Sequence, residues 1–230
     1  MPGAGASFRV EQRAHLLQTA FDMLERGGPE ALQTRPLAAA VGTSTQAVYT
    51  LFGGMPGVFE ALVAEGYVRF ARHIAAVAET DDPVADHFSK GWAYCEWALE
   101  HPQLYRLMFG ITGGELRHHA GLEMTVGGTL ATFPEGQTAL GVLLRSVARM
   151  IESGRIRPVD PLIVARQFLS VTHGYVLLEI AGAFGTKGEG LSVIAALAVN
   201  LMVGLGDAPE AVQRSLAATL AARRQHPAAW

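Results

Sequence analysis

The sequence predicts an all-α fold, and three observations carry that expectation. Apolar residues recur at helical spacing, as in Leu16, Leu17, Ala20, Phe21 and Leu24. No run of alternating β-branched residues bounded by turn signals stands out, so no strand is expected. Stop and restart signals punctuate the chain: Gly27-Gly28-Pro29, and the Asp-Pro pairs at 82–83 and 160–161.

The elements follow in order. A first helix is expected from Val10 to Arg26, stopped by the Gly-Gly-Pro run. Short helices follow at 34–41 and 45–51. A long one is expected at 56–79, with Phe59, Leu62, Val63, Tyr67 and Phe70 on its apolar side. Asp82 and Asp160 are placed to cap helices that Pro83 and Pro161 begin. Asp207, with Glu210 three residues on, has the spacing of a capping box and opens a last helix. Gly-rich stretches at 110–114 and 127–128 and a loop at 185–190 separate the other helices. Nine or ten helices result, with a boundary near residue 55: a three-helix N-terminal domain over 1–55 and a longer, more apolar helical domain over 56–230.

Composition narrows the function. Of 230 residues, 50% are hydrophobic and 17% charged, which excludes disorder for most of the chain. The net charge of −3 argues against a polybasic nucleic-acid binder, though not against a reader whose basic groups are local. Cys95 is the single cysteine, so no intrachain disulfide and no cysteine-based zinc site is expected. Residues 1–8 lack the basic segment and apolar core of a signal peptide. Together these predict a cytoplasmic protein. The longest charge-free run, Gly190 to Gly206, is seventeen residues and contains Ser192 and Asn200. A membrane helix needs about 20 apolar residues, so this run reads as a helix buried on nearly all sides.

The informative segment is Thr34 to Phe52. Ala38 supplies a small residue where two helices must cross. Gly42 supplies a turn with positive φ. Ser44 can cap the second helix, and Val48 can point back into the angle between the two. Those spacings describe a helix-turn-helix.

The flanks extend the pattern: Gly27-Gly28 with Ala31-Leu32, Leu37-Ala38, Val41-Gly42-Thr43-Ser44, and Val48-Tyr49 with Phe52-Gly53. From about Gln12 to Leu62 the sequence resembles the TetR family of bacterial transcriptional regulators. The C-terminal part is similar to a TetR subgroup named for a Trp-His-Gly signature, through His101-Pro102, Leu104 to Phe109, His173-Gly174, Leu178-Glu179 and Gly182. The signature tryptophan is absent upstream of His173, where Leu169 and Val171 stand.

The resemblance implies a ligand-responsive DNA-binding regulator, most often a repressor. It implies a homodimer on a palindromic operator in double-stranded DNA, with no cofactor, no metal and no membrane partner. Thr45 and Gln46 open the recognition helix. Gln46 suits adenine N6 and N7, and the Thr45 methyl suits a thymine methyl. Thr43, Ser44, Tyr49 and Thr50 carry hydroxyls suited to phosphates, and Arg35 adds a charge beside helix N–H groups. Many members carry a lysine where Met55 stands. Here Arg35 is the only charged residue from 31 to 59. Four Arg against five acidic residues leave the first sixty at −1, so weak, shallow salt dependence is expected. For a small apolar ligand, the aromatic and Met side chains Trp92, Trp97, Tyr105, Met108, Phe109 and Phe168, with His173 and Tyr175, are the candidates.

The last two long apolar helices, about 161–184 and 190–205, are expected to build the dimer. An enzyme is not expected: no Walker loop, dinucleotide fingerprint or Gly-x-Ser-x-Gly elbow occurs. His118, His119, Glu115 and Glu123 read as a solvated face rather than a metal site. The alternative is a small-molecule-binding helical protein or enzyme that kept the fold without specific DNA binding.

Overall fold

The computed structural model describes residues 4–110, 134–186 and 188–225. Among them are ten α-helices, one 3-10 turn and no strand. The helices are α1 (Ala4–Gly27), α2 (Thr34–Ala40), α3 (Thr45–Phe52), α4 (Met55–Ala75) and α5 (Pro83–Glu100). They continue with α6 (Pro102–Met108), α7 (Pro134–Glu152), α8 (Pro161–Ile180), α9 (Leu191–Gly204) and α10 (Pro209–Gln225). The fold class is all-α, as expected. The quartet Glu115, His118, His119 and Glu123, with the Gly-rich stretches at 111–114 and 127–128, lies outside the described residues.

Three boundaries differ from the sequence reading by four residues or more; one is α8, which ends at Ile180 rather than near 184, where Gly182 takes φ +72. The first helix begins six residues before Val10, because nothing between Ala4 and Arg9 breaks a helix; Ser7 bonds to Glu11 one turn on, at 3.1 Å. The fourth helix stops at Ala75, not 79. Beyond it the chain is drawn off by Asp86, whose carboxylate accepts from the Thr80 N–H (2.8 Å) and hydroxyl (2.7 Å).

The chain packs as two compact units. The first holds residues 1–69 and 101–136. Its core is Leu16, Ala20 and Leu24 of α1, Leu37 and Ala38 of α2, Val48 of α3, Phe59, Leu62 and Tyr67 of α4, and Leu104, Tyr105 and Met108 of α6. The Tyr67 hydroxyl donates to the Met108 carbonyl at 3.0 Å. Gly66 lets Met108 approach: a Cβ there would meet its sulfur at 2.7 Å. Glu25 accepts from the Leu104 and Gln103 N–H groups at 2.9 and 3.3 Å, an anion seated on the N-terminus of α6.

The second unit holds residues 70–100 and 137–230. Val84, Phe88, Val147, Met150, Val164, Phe168, Met202, Leu205 and Val212 form its core. Asp82 caps α5, accepting from the Val84 and Ala85 N–H groups at 3.0 and 3.1 Å. Asp160 caps α8 through Leu162, at 2.8 Å. The capping box expected at Asp207 does not form. Backbone bonds from Ala211 and Val212 to the Ala208 carbonyl open α10 instead, and the Asp207 carboxylate is taken by Arg155. The helix read as buried on nearly all sides, α9, is not. Ile194 and Met202 are buried, while Val193, Leu197 and Val203 are exposed on its other face.

No single helix among the described residues is long and apolar enough to cross a membrane.

Candidate nucleic-acid interface and apolar cleft

The reading head is built from its turns. At the end of α2, Gly42 takes φ +69 and donates to the Ala39 carbonyl (3.1 Å), while the Thr43 N–H donates to the Ala38 carbonyl (2.9 Å). This is a Schellman ending, and only glycine holds its left-handed position without strain. The Ser44 hydroxyl then caps α3, accepting from the Ala47 N–H at 3.3 Å. Val48 is fully buried, and Ala38 nearly so, at the crossing of α2 with α3. The spacing of 38, 42 and 48 therefore does what the sequence implied.

With Val48 inward, the opposite face of α3 is free. Ser44, Thr45, Gln46, Tyr49 and Thr50 are exposed, Tyr49 at 55%, and Arg35 is exposed at the start of α2. Thr43 is half-buried, its hydroxyl oxygen accepting from the Gln12 side chain at 3.0 Å. That leaves the Thr43 proton available, as does the cap role of Ser44. Thr50 differs: its hydroxyl donates to the Gln46 carbonyl at 2.9 Å. A phosphate oxygen only accepts, so Thr50 could serve one only by giving up this bond.

Three further residues shape the reading head, and of these the sequence reading singles out Arg13 alone, with Arg9, as a basic residue for the DNA backbone. Gln12 pins α1 to the turn. The Arg13 guanidinium lies 4.8 Å over the Phe52 ring. Gly57 is forced: a Cβ there would overlap the Phe52 carbonyl oxygen. Gly53 and Gly54 take φ +75 and +108, and the Tyr49 ring rests against Gly54.

The eight ligand candidates do not gather in one place. Tyr105 and Met108, fully buried, and Phe109, half-buried, belong to the first unit. There Phe109 packs beside Tyr105 and Tyr67. The other five belong to the second unit. Trp97 is buried against Phe70 (5.0 Å between rings), and Tyr175 stacks on Phe184 at 5.7 Å. His173 is half-buried on α8, its pKa lowered by that burial.

Trp92 and Phe168 alone among the eight line a cleft between α5, α8, α9 and α10. It is a small, half-open cleft with a cavity volume of about 50 Å³. His87, Gly91 and Cys95 line it from one face of α5, at i, i+4 and i+8. The His87 Nδ1 is 2.9 Å from the Ser146 hydroxyl, and its ring meets Phe168 edge-on at 4.2 Å. Burial, with the nearby Lys90 charge, pushes the His87 pKa down to about 4. Burial pushes the Cys95 thiol up to about 12, so it is not a nucleophile.

The comparisons agree with this architecture. Residues 16–62 match the family described as bacterial regulatory proteins, tetR family. Residues 89–202 match the tetracyclin repressor-like C-terminal domain. These matches do not extend to the Trp-His-Gly subgroup. No curated protein matches the chain. Among solved structures, a protein with unknown function from Rhodococcus sp. RHA1 is 24% identical, with a TM-score of 0.68 over 85% of this chain and 96% of that one. RolR in complex with resorcinol is 16% identical, with a TM-score of 0.60 over 91% and 95%. A TetR family transcription regulator from Marinobacter aquaeolei VT8 is 17% identical, with a TM-score of 0.60 over 85% and 97%. These structures share the fold. The two family matches together span more than half of the chain, and the chain belongs to the TetR family of DNA-binding bacterial transcriptional regulators.

Proposed function

We propose that this chain is a cytoplasmic homodimeric repressor, released from a palindromic operator by a small apolar ligand. Residues 1–55 read DNA, and residues 56–230 bind the ligand and dimerise. The exposed row Ser44, Thr45, Gln46 and Tyr49, held rigid by buried Val48, carries this reading. Gln46 reads a base edge, and Thr43, Ser44, Tyr49 and Arg35 hold phosphates. Thr50 contributes least, since its proton is committed to Gln46.

Exposed apolar residues support dimerisation: Ile163 and Leu178 on α8, and Val193, Leu197 and Val203 on α9. A second copy would cover them in a twofold four-helix contact, presenting two reading heads to two half-sites. That RolR holds resorcinol supports a small-molecule effector for this fold. The ligand must prefer a dimer whose reading heads misfit the groove, because a ligand with equal affinity for both states shifts nothing. Helix α4 is the lever in this scheme: residues 55–69 belong to the first unit and 70–75 to the second.

The test is selection from a random duplex library with the full chain, followed by gel shift. An inverted-repeat consensus, bound by a dimer in light scattering, is expected. The weak basicity of the first sixty residues favours the rival reading, a helical protein without specific DNA binding. Recovery of no consensus at low salt would establish that rival.

A further inference from the structure

Resting on the ligand-responsive reading above, we propose that the cleft between α5, α8, α9 and α10 binds an uncharged, mainly apolar small molecule bearing a hydroxyl group, and that His87 meets the hydroxyl. Three observations converge on it.

The walls are apolar: Phe88, Trp92, Phe168, Val171, Ile194 and Leu216. No Lys, Arg, Asp or Glu lines the cleft, so a charged guest would lose its hydration without compensation.

The space is kept open by small residues. Gly91 sits in the interior of α5, where glycine is less stable than alanine. Nothing lies within 4 Å of where its Cβ would be. An alanine would fit, so close helix packing does not explain the glycine. Ala195 and Ala198 line the same cleft from α9.

The lining carries the Thr172 hydroxyl and the Trp92 indole N–H, both half-buried, and one fully buried imidazole, His87, which is only half satisfied. His87 is 5% exposed, and its Nδ1 is engaged by Ser146. Its other ring nitrogen has no hydrogen-bond partner among the described residues. That nitrogen is not among the fully enclosed unpaired polar atoms, so it keeps some access to solvent or a guest.

A hydroxyl fits that nitrogen in either tautomer. If the Ser146 hydroxyl donates to Nδ1, the far nitrogen carries the proton and a ligand hydroxyl accepts from it. If Nδ1–H donates to Ser146, the far nitrogen accepts from the ligand. Because burial keeps the imidazole neutral at pH 7, an anion gains no charge partner there.

The experiment is ligand-observed fluorine NMR on the full chain at pH 7, with 4-fluorophenol, fluorobenzene and 4-fluorobenzoate as probes. 4-Fluorophenol is expected to bind at least tenfold more tightly than fluorobenzene, and 4-fluorobenzoate not to bind. His87→Phe should bring 4-fluorophenol down to the level of fluorobenzene and leave fluorobenzene unchanged. Gly91→Leu leaves the Ser146 contact intact, so it serves if His87→Phe does not fold; it should weaken both aromatic probes by tenfold or more. Equal affinity of 4-fluorophenol and fluorobenzene in the parent chain would overturn the proposal. So would unchanged binding in Gly91→Leu, or no binding of any probe. Gel shift with the selected operator separates the two readings. Probe binding in the expected pattern without release of DNA supports the cleft and rejects induction. Release of DNA by a molecule that Gly91→Leu does not affect rejects the cleft and keeps the regulator.

Discussion

Arg155 and Asp207 occupy the same position at the ends of two different helices and grip each other there. Each follows a left-handed glycine, Gly154 after α7 and Gly206 after α9. Each backbone N–H closes a Schellman ending: Arg155 onto the Met150 carbonyl at 3.0 Å, and Asp207 onto the Met202 carbonyl at 3.2 Å. Between them the side chains form a two-pronged pair, Nε to Oδ1 at 2.9 Å and Nη2 to Oδ2 at 2.8 Å. The remaining guanidinium nitrogen reaches Asp82 at 2.9 Å, and Ser215 bridges to the other Asp82 oxygen at 2.7 Å. One arginine thus joins the start of α5, the end of α7, the turn after α9 and the body of α10.

Arg155→Met should therefore destabilise the chain by about 3 kcal/mol, because it leaves a carboxylate only 3% exposed without its counter-charge. The double variant Arg155→Met with Asp207→Leu should be less damaging than the single one, since the carboxylate that then lacks its partner is Asp82, which is far more exposed than Asp207. Urea unfolding of the four proteins in a double-mutant cycle measures this. Additive losses would show that the pair is not coupled.

Acid should weaken the fold in two stages. An unfolded histidine titrates near 6.5, whereas buried His87 does so at about 4. Between those values the unfolded state takes up a proton that the folded state refuses, so stability falls as pH falls, by about 3 kcal/mol when complete. Asp82 adds a later loss. Burial works against its carboxylate, but Ser215, the Ala85 and Val84 N–H groups and Arg155 together hold its pKa below the ordinary value. Its contribution is present above that ordinary value and lost as pH drops through the folded one. Glu25 runs the other way: burial raises its pKa despite the bonds from Leu104 and Gln103, so it gains stability as pH falls. Urea midpoints from pH 7.5 to 4.5 should decline in the parent and flatten in His87→Asn. An unchanged slope in that variant would exclude His87 as the source.

Gly57→Ala should be more damaging than Gly42→Ala. At Gly42 a side chain meets open space and suffers only the left-handed backbone, about 1–2 kcal/mol. At Gly57 the added carbon would overlap the Phe52 carbonyl, so the junction of α3 and α4 must move. Thermal unfolding would rank the two. The reverse order would mean that this junction gives way easily.

On DNA, Gln46→Ala should cost on the order of 1–3 kcal/mol and relax one base position. Tyr49→Phe should weaken all sequences about equally, because a phosphate contact carries no base information. Thr50→Val should change affinity little, its proton being spent on the helix. Fluorescence anisotropy with the selected operator and single-base variants would measure all three. A large loss in Thr50→Val would show that the bond to Gln46 is exchanged for a phosphate on binding.

What the sequence disclosed was local. Asp82-Pro83 and Asp160-Pro161 marked real caps because a cap and its N–H partners lie two or three residues apart. Ala38, Gly42 and Val48 marked the turn for the same reason. Asp207 was misread because its strongest partner, Arg155, is 52 residues away and nothing local distinguishes a capping carboxylate from a paired one. The aromatic candidates scattered for a related reason. Tyr105 and Met108 stand a few residues beyond Trp97 in sequence, yet they fill the core that α6 shares with α1 and α4 in the first unit. The cleft turned on His87 and Gly91, a histidine and a glycine that look ordinary within an apolar helix.

The path of the chain through its two units has an evolutionary and experimental corollary. The first unit is left after Arg69 and re-entered at His101, where Glu25 receives the N-terminus of α6. Its core is thus assembled from two stretches of gene separated by the whole of α5. A fragment ending after α4 would strip Tyr67 of its Met108 acceptor and remove the Met108 and Leu104 side chains that pack over Gly66. The reading head is therefore not a transferable cassette. Fusions that move this helix-turn-helix to another domain must carry α6 with them, and recombination between relatives should preserve both halves together.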